Sequence, residues 1–280
     1  MRLRVYARLY RVRHWVKNLL VFAPPFFAGV FEPGGLFRAF LAFLAFSLVS
    51  SAVYVINDLA DRRLDRLHPE KRQRPIASGE VKPEEALLHA AFLALSGLLF
   101  GFAAGVAAVT LLYLLLNLLY SFWAKNLPLL DVLIVSSGFL LRLWAGAEAS
   151  AVPLSDWILL ITFHLALFIA LAKRYEDARL LKKGILTRKV LKFYDERFLY
   201  SAVLFTASIT VTLYAIFTVV EHSGSKLYLT TPLVVLGFLR YFWAVFYGKM
   251  GGNPVALIFK DRFLQLVVLL WLACYHLLRA

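Results

Sequence analysis

The chain has 280 residues, of which 61% are hydrophobic and 17% charged, and a net charge of +14. A soluble domain of this length has too little interior for so much apolar side chain, so a water-soluble globular class is excluded. The one cysteine, Cys274, excludes internal disulfides and thiolate metal sites. Residues 1–17 carry Arg2, Arg4, Arg8, Arg11, Arg13 and Lys17 with no apolar stretch or cleavage site of a signal peptide. They read as a basic amphipathic segment lying on the membrane surface.

Apolar runs of roughly 18–22 residues then recur, each long enough to cross a ~30 Å hydrocarbon core as a helix. Candidate spans are 18–32, 36–57, 84–104, 106–124, 129–148, 154–173, 197–220, 228–248 and 262–279. Lipid offers the backbone no partners, so these runs are helices. The expectation is an all-α polytopic membrane protein with nine transmembrane helices, one domain over 1–280. With the N-terminus in the cytoplasm, residues 1–17 and the loops 58–83, 125–128, 174–196 and 249–261 hold most of the 31 Lys and Arg. That asymmetry fixes the orientation and explains the basic charge without a nucleic-acid partner. The two longest inside loops, 58–83 and 174–196, are where chemistry is expected.

The run "YVINDLADRRLDRLHPEKRQRPIASG" (54–79) ends an apolar helix in a cluster of acids. Asn57, Asp61 and Asp65 recur at spacing four, which puts them on one face of a continuing helix, with Asp58 one position away. Carboxylates crowded at a helix C-terminal end resist joint ionisation unless a cation joins them. Arg62, Arg63 and Arg66 could serve, but most fall between the aspartates, off their shared face. Asn57 adds a neutral oxygen that an ion-pair network does not need. Mg²⁺ takes one or two carboxylates and fills its shell with water and phosphate oxygens. The cluster therefore predicts a magnesium-held diphosphate, with Lys71, Arg72 and Arg74 close by to bind phosphate oxygens.

N-D-x-x-D-x-x-x-D at the inner end of the second helix resembles the UbiA superfamily of intramembrane prenyltransferases, and the likeness extends over the whole chain. Most members bind a prenyl diphosphate through two aspartate-rich motifs and prenylate an aromatic acceptor. Here the second motif position reads "KRYEDARLLKKG", with cations where an aspartate pair would stand. Together with "RVRHWVKN" (11–18) and "YSFWAKNLPLLDVLIVSSGFLLR" (120–142), this resembles the branch of decaprenyl-phosphate phosphoribosyltransferases. That resemblance implies transfer of phosphoribose from phosphoribosyl pyrophosphate to a polyprenyl phosphate, for cell-wall arabinan precursors, with Mg²⁺ as cofactor and membrane lipids as surroundings.

Carried over by motif position, Asn57 and Asp61 lead as metal ligands, with Asp58 and Asp65 in support. Lys71 and Arg74 are assigned to phosphate, and Lys17 and Asn18 to the donor. Tyr54, one turn before the acids, can hydrogen-bond the donor. Lys125 and Asp131 flank the start of the fifth helix. Arg142, three turns into that helix, must face the protein interior or a pocket because its charge is costly in lipid. Lys173 and Arg174 are assigned to an additional phosphate, and Tyr175 and Glu176 to ribose hydroxyls. The alternative is an aromatic prenyltransferase using a prenyl diphosphate, which an aspartate pair near 173–185 would have favoured. A transporter would show paired Gly/Pro-broken helices, and none is evident. A homo-oligomer fits the lipid-facing surface as well as a monomer does.

Overall fold

The computed structural model describes residues 2–184, 189–247, 257 and 260–279, and these are helical with no strand among them. They form two compact units, Met1–Ser155 and Asp156–Ala280. The expected loop 249–261 lies mostly outside the described residues, as do 185–188 of the expected loop 174–196.

The first unit begins with α1 (Arg2–Leu9), a 3₁₀ segment (Val12–Phe22) and α2 (Ala23–Ala28). Next come α3 (Pro33–Ala60), the short α4 (Arg62–Leu67) and α5 (Pro75–Ser78), then α6 (Pro83–Ala103), α7 (Ala107–Phe122) and α8 (Leu130–Ser150). Prolines stand at the first turns of α2, α3, α5 and α6, where a missing N–H costs nothing. The second unit contains α9 (Asp156–Lys182), α10 (Glu196–Val220), α11 (Thr231–Phe246) and α12 (Arg262–Leu278).

Among the described residues, six helices are long and apolar enough to cross a membrane, rather than the nine expected; α7 and α12 are apolar but shorter. The first candidate span, 18–32, is not one helix. Pro24 and Pro25 follow an eleven-residue 3₁₀ run and restart the chain as a six-residue α-helix that Gly29 ends. The apolar helices are lipid-facing on one side: Leu88, Phe92, Leu95, Leu99 and Phe102 form an exposed stripe at spacings of three and four along α6. The chain is an integral, multi-pass membrane protein.

Small residues set the packing. Gly97 lets α6 lie on Val49 of α3, and an added Cβ there would stand 2.6 Å from that side chain. At Gly146 of α8 it would stand 1.9 Å from the carbonyl oxygen of Val21, so the 3₁₀ segment can rest on α8 only over a glycine. Phe46, Val49, Tyr113, Leu141 and Ala145 fill the core between α3, α7 and α8. A second cluster of Leu9, Val55, Ile76, Val81 and Ala90 lies beneath α1. In the second unit, Phe168 of α9 is ringed by Phe238, Tyr241 and Phe242 of α11.

The expected loop 58–83 is a string of short helices. The expected loop 174–196 begins later than predicted, because α9 runs on to Lys182. Its last turns carry Arg174–Asp177 and Glu176–Arg179 pairs at spacing three, which favour helix over loop.

Candidate active site

The acidic run does not continue as one helix. α3 ends at Ala60 and Asp61 forms the corner (φ −91°, ψ 2°) before α4. The expected single face of Asn57, Asp61 and Asp65 is therefore broken. Among the described residues, no group of three or more His, Cys, Asp or Glu converges on one point.

The four side chains instead fall into two pairs, Asp58 with Asp65 and Asp61 with the neutral Asn57, each held by cations of the same unit. Asp58, 2% exposed, joins the buried Asp65 through Arg74. The Arg74 Nη1 donates to Asp58 Oδ1 at 2.9 Å and to Asp65 Oδ2 at 2.7 Å. Arg11 also donates to Asp58, while its guanidinium sits 4.7 Å over the Tyr54 ring. Guanidinium groups hold the oxygens of Asp58 and Asp65, the supporting ligands of the expected set, and burial makes a paired carboxylate expensive to free. Arg62, Arg63 and Arg66 form no ion pair with these acids among the described residues; the cations come from residues 11, 74 and 125.

The second pair is the accessible one. Lys125 Nζ donates to Asp61 Oδ1 at 2.7 Å and to Asn57 Oδ1 at 3.5 Å, and the Asp61 side chain is 26% exposed. A carboxylate and an amide oxygen thus converge on a point that already holds a positive charge. The ammonium marks where a hard cation or a phosphate-bound lysine would be held. One carboxylate plus one neutral oxygen suits Mg²⁺, which leaves the rest of its shell to water and phosphate.

Deeper in the unit lies a second polar centre. In the 3₁₀ segment side chains at spacing three share a face, so Trp15, Asn18 and Val21 all turn toward α3 and α8. The Trp15 Nε1 donates to Ser51 and the Asn18 Nδ2 to Ser47, one helical turn apart on α3. Asn18 Oδ1 accepts from Arg142 Nε at 2.7 Å. Arg142, 5% exposed, also donates to the Gly138 carbonyl and, at 2.9 Å, to the Tyr113 hydroxyl, whose ring lies 4.7 Å from its Cζ. Arg142 is therefore in the interior, as expected, and no carboxylate pairs with it among the described residues. Lys17, next to Asn18, lies within electrostatic reach of Arg142 and Tyr113 and has no hydrogen bond or ion pair among the described residues.

Asp131 is fully buried in the first turn of α8, where the helix dipole favours an anion. Lys71 is half-buried and Arg72 exposed. His68 Nδ1 accepts the backbone N–H groups of Glu70 and Lys71, shaping the turn that presents Arg74. Burial first, then Lys71, pushes the His68 imidazole below its ordinary pKa of 6.5.

Of the second-unit candidates, Lys173 is exposed and Arg174 is 3% exposed, 3.5 Å from Asp177. Glu176 contacts Arg179 at 3.5 Å, and the Tyr175 ring packs edge-on against Phe246. Sequence reasoning passed over Arg11, Tyr113 and the serines 47, 50 and 51. The signal for the serines was present: three hydroxyls within five residues of an otherwise apolar span.

A sequence profile described as the UbiA prenyltransferase family matches residues 20–274. A decaprenyl-phosphate phosphoribosyltransferase of Corynebacterium glutamicum is 36% identical over 277 residues, covering 94% of this chain and 83% of that protein. Its Mycobacterium tuberculosis counterpart is 36% identical over 276 residues, covering 94% and 90%. Among solved structures, a UbiA homolog from Archaeoglobus fulgidus bound to GPP and Mg²⁺ superposes with a TM-score of 0.75. That likeness covers 97% of this chain and 99% of the other at 23% identity, which bears on the fold alone.

Proposed function

Because the chain belongs to the UbiA prenyltransferase family, and its relatives match across nearly their whole length, we propose that it is a polyprenyl-phosphate phosphoribosyltransferase. It transfers the 5-phosphoribosyl group of phosphoribosyl pyrophosphate to a decaprenyl-type lipid phosphate and releases diphosphate, supplying a cell-wall arabinan precursor. The observation that carries this reading is the 36% identity over 94% of the chain to enzymes bearing that name. The arrangement of charge supports it. The acids of the cluster are already matched by Arg11, Arg74 and Lys125, and Arg142 and Lys17 remain as cations with no acid partner among the described residues. A reaction that brings a diphosphate and two phosphate monoesters together supplies the missing anions. Prenylation of an aromatic acid brings a diphosphate and one carboxylate, and no phosphate monoester.

A phosphate oxygen of the acceptor attacks C1 of the ribose as the bond from C1 to the diphosphate breaks; a single displacement inverts that carbon. The acceptor is already an anion, so no general base is needed. Catalysis rests on holding the two substrates in line and on stabilising the departing diphosphate. Asn57 and Asp61 would hold Mg²⁺, whose charge would offset that of the leaving group. Lys125, freed from Asp61 by a competing cation, would turn its ammonium to the same phosphates. Arg74 keeps Asp58 and Asp65 paired and, with Lys71, borders the diphosphate.

Arg142, Lys17, Asn18 and Tyr113 form the seat for a phosphate monoester, with Tyr54 above it. Asp131 orients the start of α8 near Lys125. Lys173, Arg174, Tyr175 and Glu176 keep their proposed phosphate and ribose roles on the strength of their sequence alone. The positive-inside bias would place the N-terminus and the site in the cytoplasm.

The test mixes purified protein in detergent with radiolabelled phosphoribosyl pyrophosphate, Mg²⁺ and a polyprenyl phosphate, with and without Asp61→Ala. Label moving into the organic phase, abolished by chelation and in the variant, is the expected result. Prenylation of an aromatic acid, with no label transferred, would overturn the reading.

A further inference from the structure

The N-terminal segment does more than lie flat. α1 is fixed against the first two turns of α6: the Tyr6 hydroxyl donates to Glu85 at 2.6 Å, and Tyr10 shares a 2.8 Å hydrogen bond with His89. Leu9 is fully buried beneath it. α6 turns apolar after Glu85, so this contact lies at the charged end of a helix long and apolar enough to cross a membrane. Beside this contact α1 exposes Leu3 (84%) and Arg4, and the following turn exposes Val12 and Arg13.

Between them runs an open groove of about 1290 Å³, lined by Arg4, Arg8, Arg11, Arg13 and His14 with a single acid, Glu80. Arg8 bonds Glu80, and Arg11 is committed to Asp58. Arg4 and Arg13 have no acid partner among the described residues. Arg11 has left-handed backbone angles (φ 51°, ψ 47°), rare for a side-chain-bearing residue, and this turns the chain so that Arg13 comes back over the groove.

We propose that this groove is a seat for the headgroup of an anionic phospholipid. Its phosphate would lie between Arg4 and Arg13, with the upper acyl chain against Ala7 and Val12, which also line the groove. A soluble polyphosphate would gain nothing from the exposed aliphatics beside the arginines, whereas a lipid uses both. The groove shares Arg11 with the acid cluster, but the phosphate would rest on Arg4 and Arg13, and the assignment does not depend on the reaction proposed above.

The full chain is released from mixed micelles of phosphatidylglycerol and phosphatidylcholine and examined by native mass spectrometry. Wild type should retain phosphatidylglycerol over phosphatidylcholine, and inorganic phosphate in excess should not displace it. Arg4→Gln with Arg13→Gln should weaken that preference by about fivefold for each arginine removed. Arg4→Lys with Arg13→Lys should keep it, which separates lost charge from lost folding. Arg11 is left intact because it belongs to the acid cluster. Equal retention of the two lipids by wild type, full preference in the glutamine variant, or displacement by inorganic phosphate would each overturn the assignment.

Discussion

Replacing Arg142 with methionine separates a structural arginine from one that awaits an anion. A guanidinium buried without a carboxylate costs several kcal/mol even after relaxation. Against this stand three hydrogen bonds from a charged donor, roughly 1.5–3 kcal/mol each, and the Tyr113 face, about 1–2 kcal/mol. The two sides come close to cancelling. Arg142→Met removes both and leaves Asn18 Oδ1 without its donor, a penalty of about 1–3 kcal/mol. A stability loss of that size lowers the melting temperature by a few degrees, at roughly 2–4 °C per kcal/mol. Loss of a phosphate contact in a water-poor site is larger in its kinetic effect, about 10²–10³ in kcat/KM. Arg142→Lys keeps the charge but not the fork that reaches Asn18, Gly138 and Tyr113 together, so it should fall between the two. Label transfer and thermal unfolding in detergent are read on the same preparations. A kcat/KM within tenfold of wild type for Arg142→Met would refute the anion seat, whatever happens to stability.

Arg74→Met leaves Asp58 and Asp65 buried with their shared cation gone. A loss of about 3–5 kcal/mol is expected, read as a large drop in melting temperature, while Arg74→Met with Asp65→Asn should recover part of it. Gly146→Ala drives a methyl group into the Val21 carbonyl; overpacking against backbone should cost about 3 kcal/mol or more, whereas Gly34→Ala, open on all sides, should cost far less. His68 gives the 62–78 segment a pH dependence of defined sign. Its folded pKa lies below its unfolded value of 6.5, so its contribution is fully present above 6.5 and is lost as the pH falls through the lower folded value. Amide exchange at Glu70 and Lys71 should quicken over that fall in wild type and lose its pH step in His68→Asn. Mg²⁺ alone should bind weakly, since it must displace Lys125 from Asp61, and at least tenfold more tightly with diphosphate present; equal affinity with and without diphosphate, by calorimetry, would argue against the shared point.

The fold was largely legible because lipid imposes a simple code. Span limits read from hydropathy agree with α6, α8 and α10 to within a few residues, since an apolar run in a membrane has one available structure. The first span was misread because composition does not reveal a 3₁₀ run. Its period of three shows only in which residues, Trp15, Asn18 and Val21, meet α3 and α8. At the site, the types of residue were legible and their pairing was not. Spacing four suggested that Asn57, Asp61 and Asp65 act together, but a corner at Asp61 sends Asp65 to Asp58 instead. No local pattern could show that Arg11, 47 residues away, closes that pair, or that Lys125, 64 residues away, reaches Asp61. Those contacts are set by tertiary packing, where α1 docks on α6 and α7 delivers its C-terminal end beside α3.

This division of charge also explains why the acids can stand at the end of a membrane helix. A bare cluster of four oxygen-bearing side chains there would face both the negative end of the α3 dipole and its own repulsion. Arg11 and Arg74 remove that repulsion for the buried pair permanently, at a cost met by short, charge-assisted hydrogen bonds. Lys125 does so for the exposed pair by a single flexible side chain, which can leave. The buried half is therefore scaffold and the exposed half is poised for exchange. An arriving divalent ion would take the oxygens of Asn57 and Asp61, and the phosphates that come with it would take the displaced ammonium. The positive charge on Lys17 and Arg142 is not part of that exchange, so it would remain to hold a second anion. In the proposed reaction the carboxylate-bound Lys125 would serve the diphosphate that leaves, and Lys17 and Arg142, without an acid partner among the described residues, the phosphate monoester.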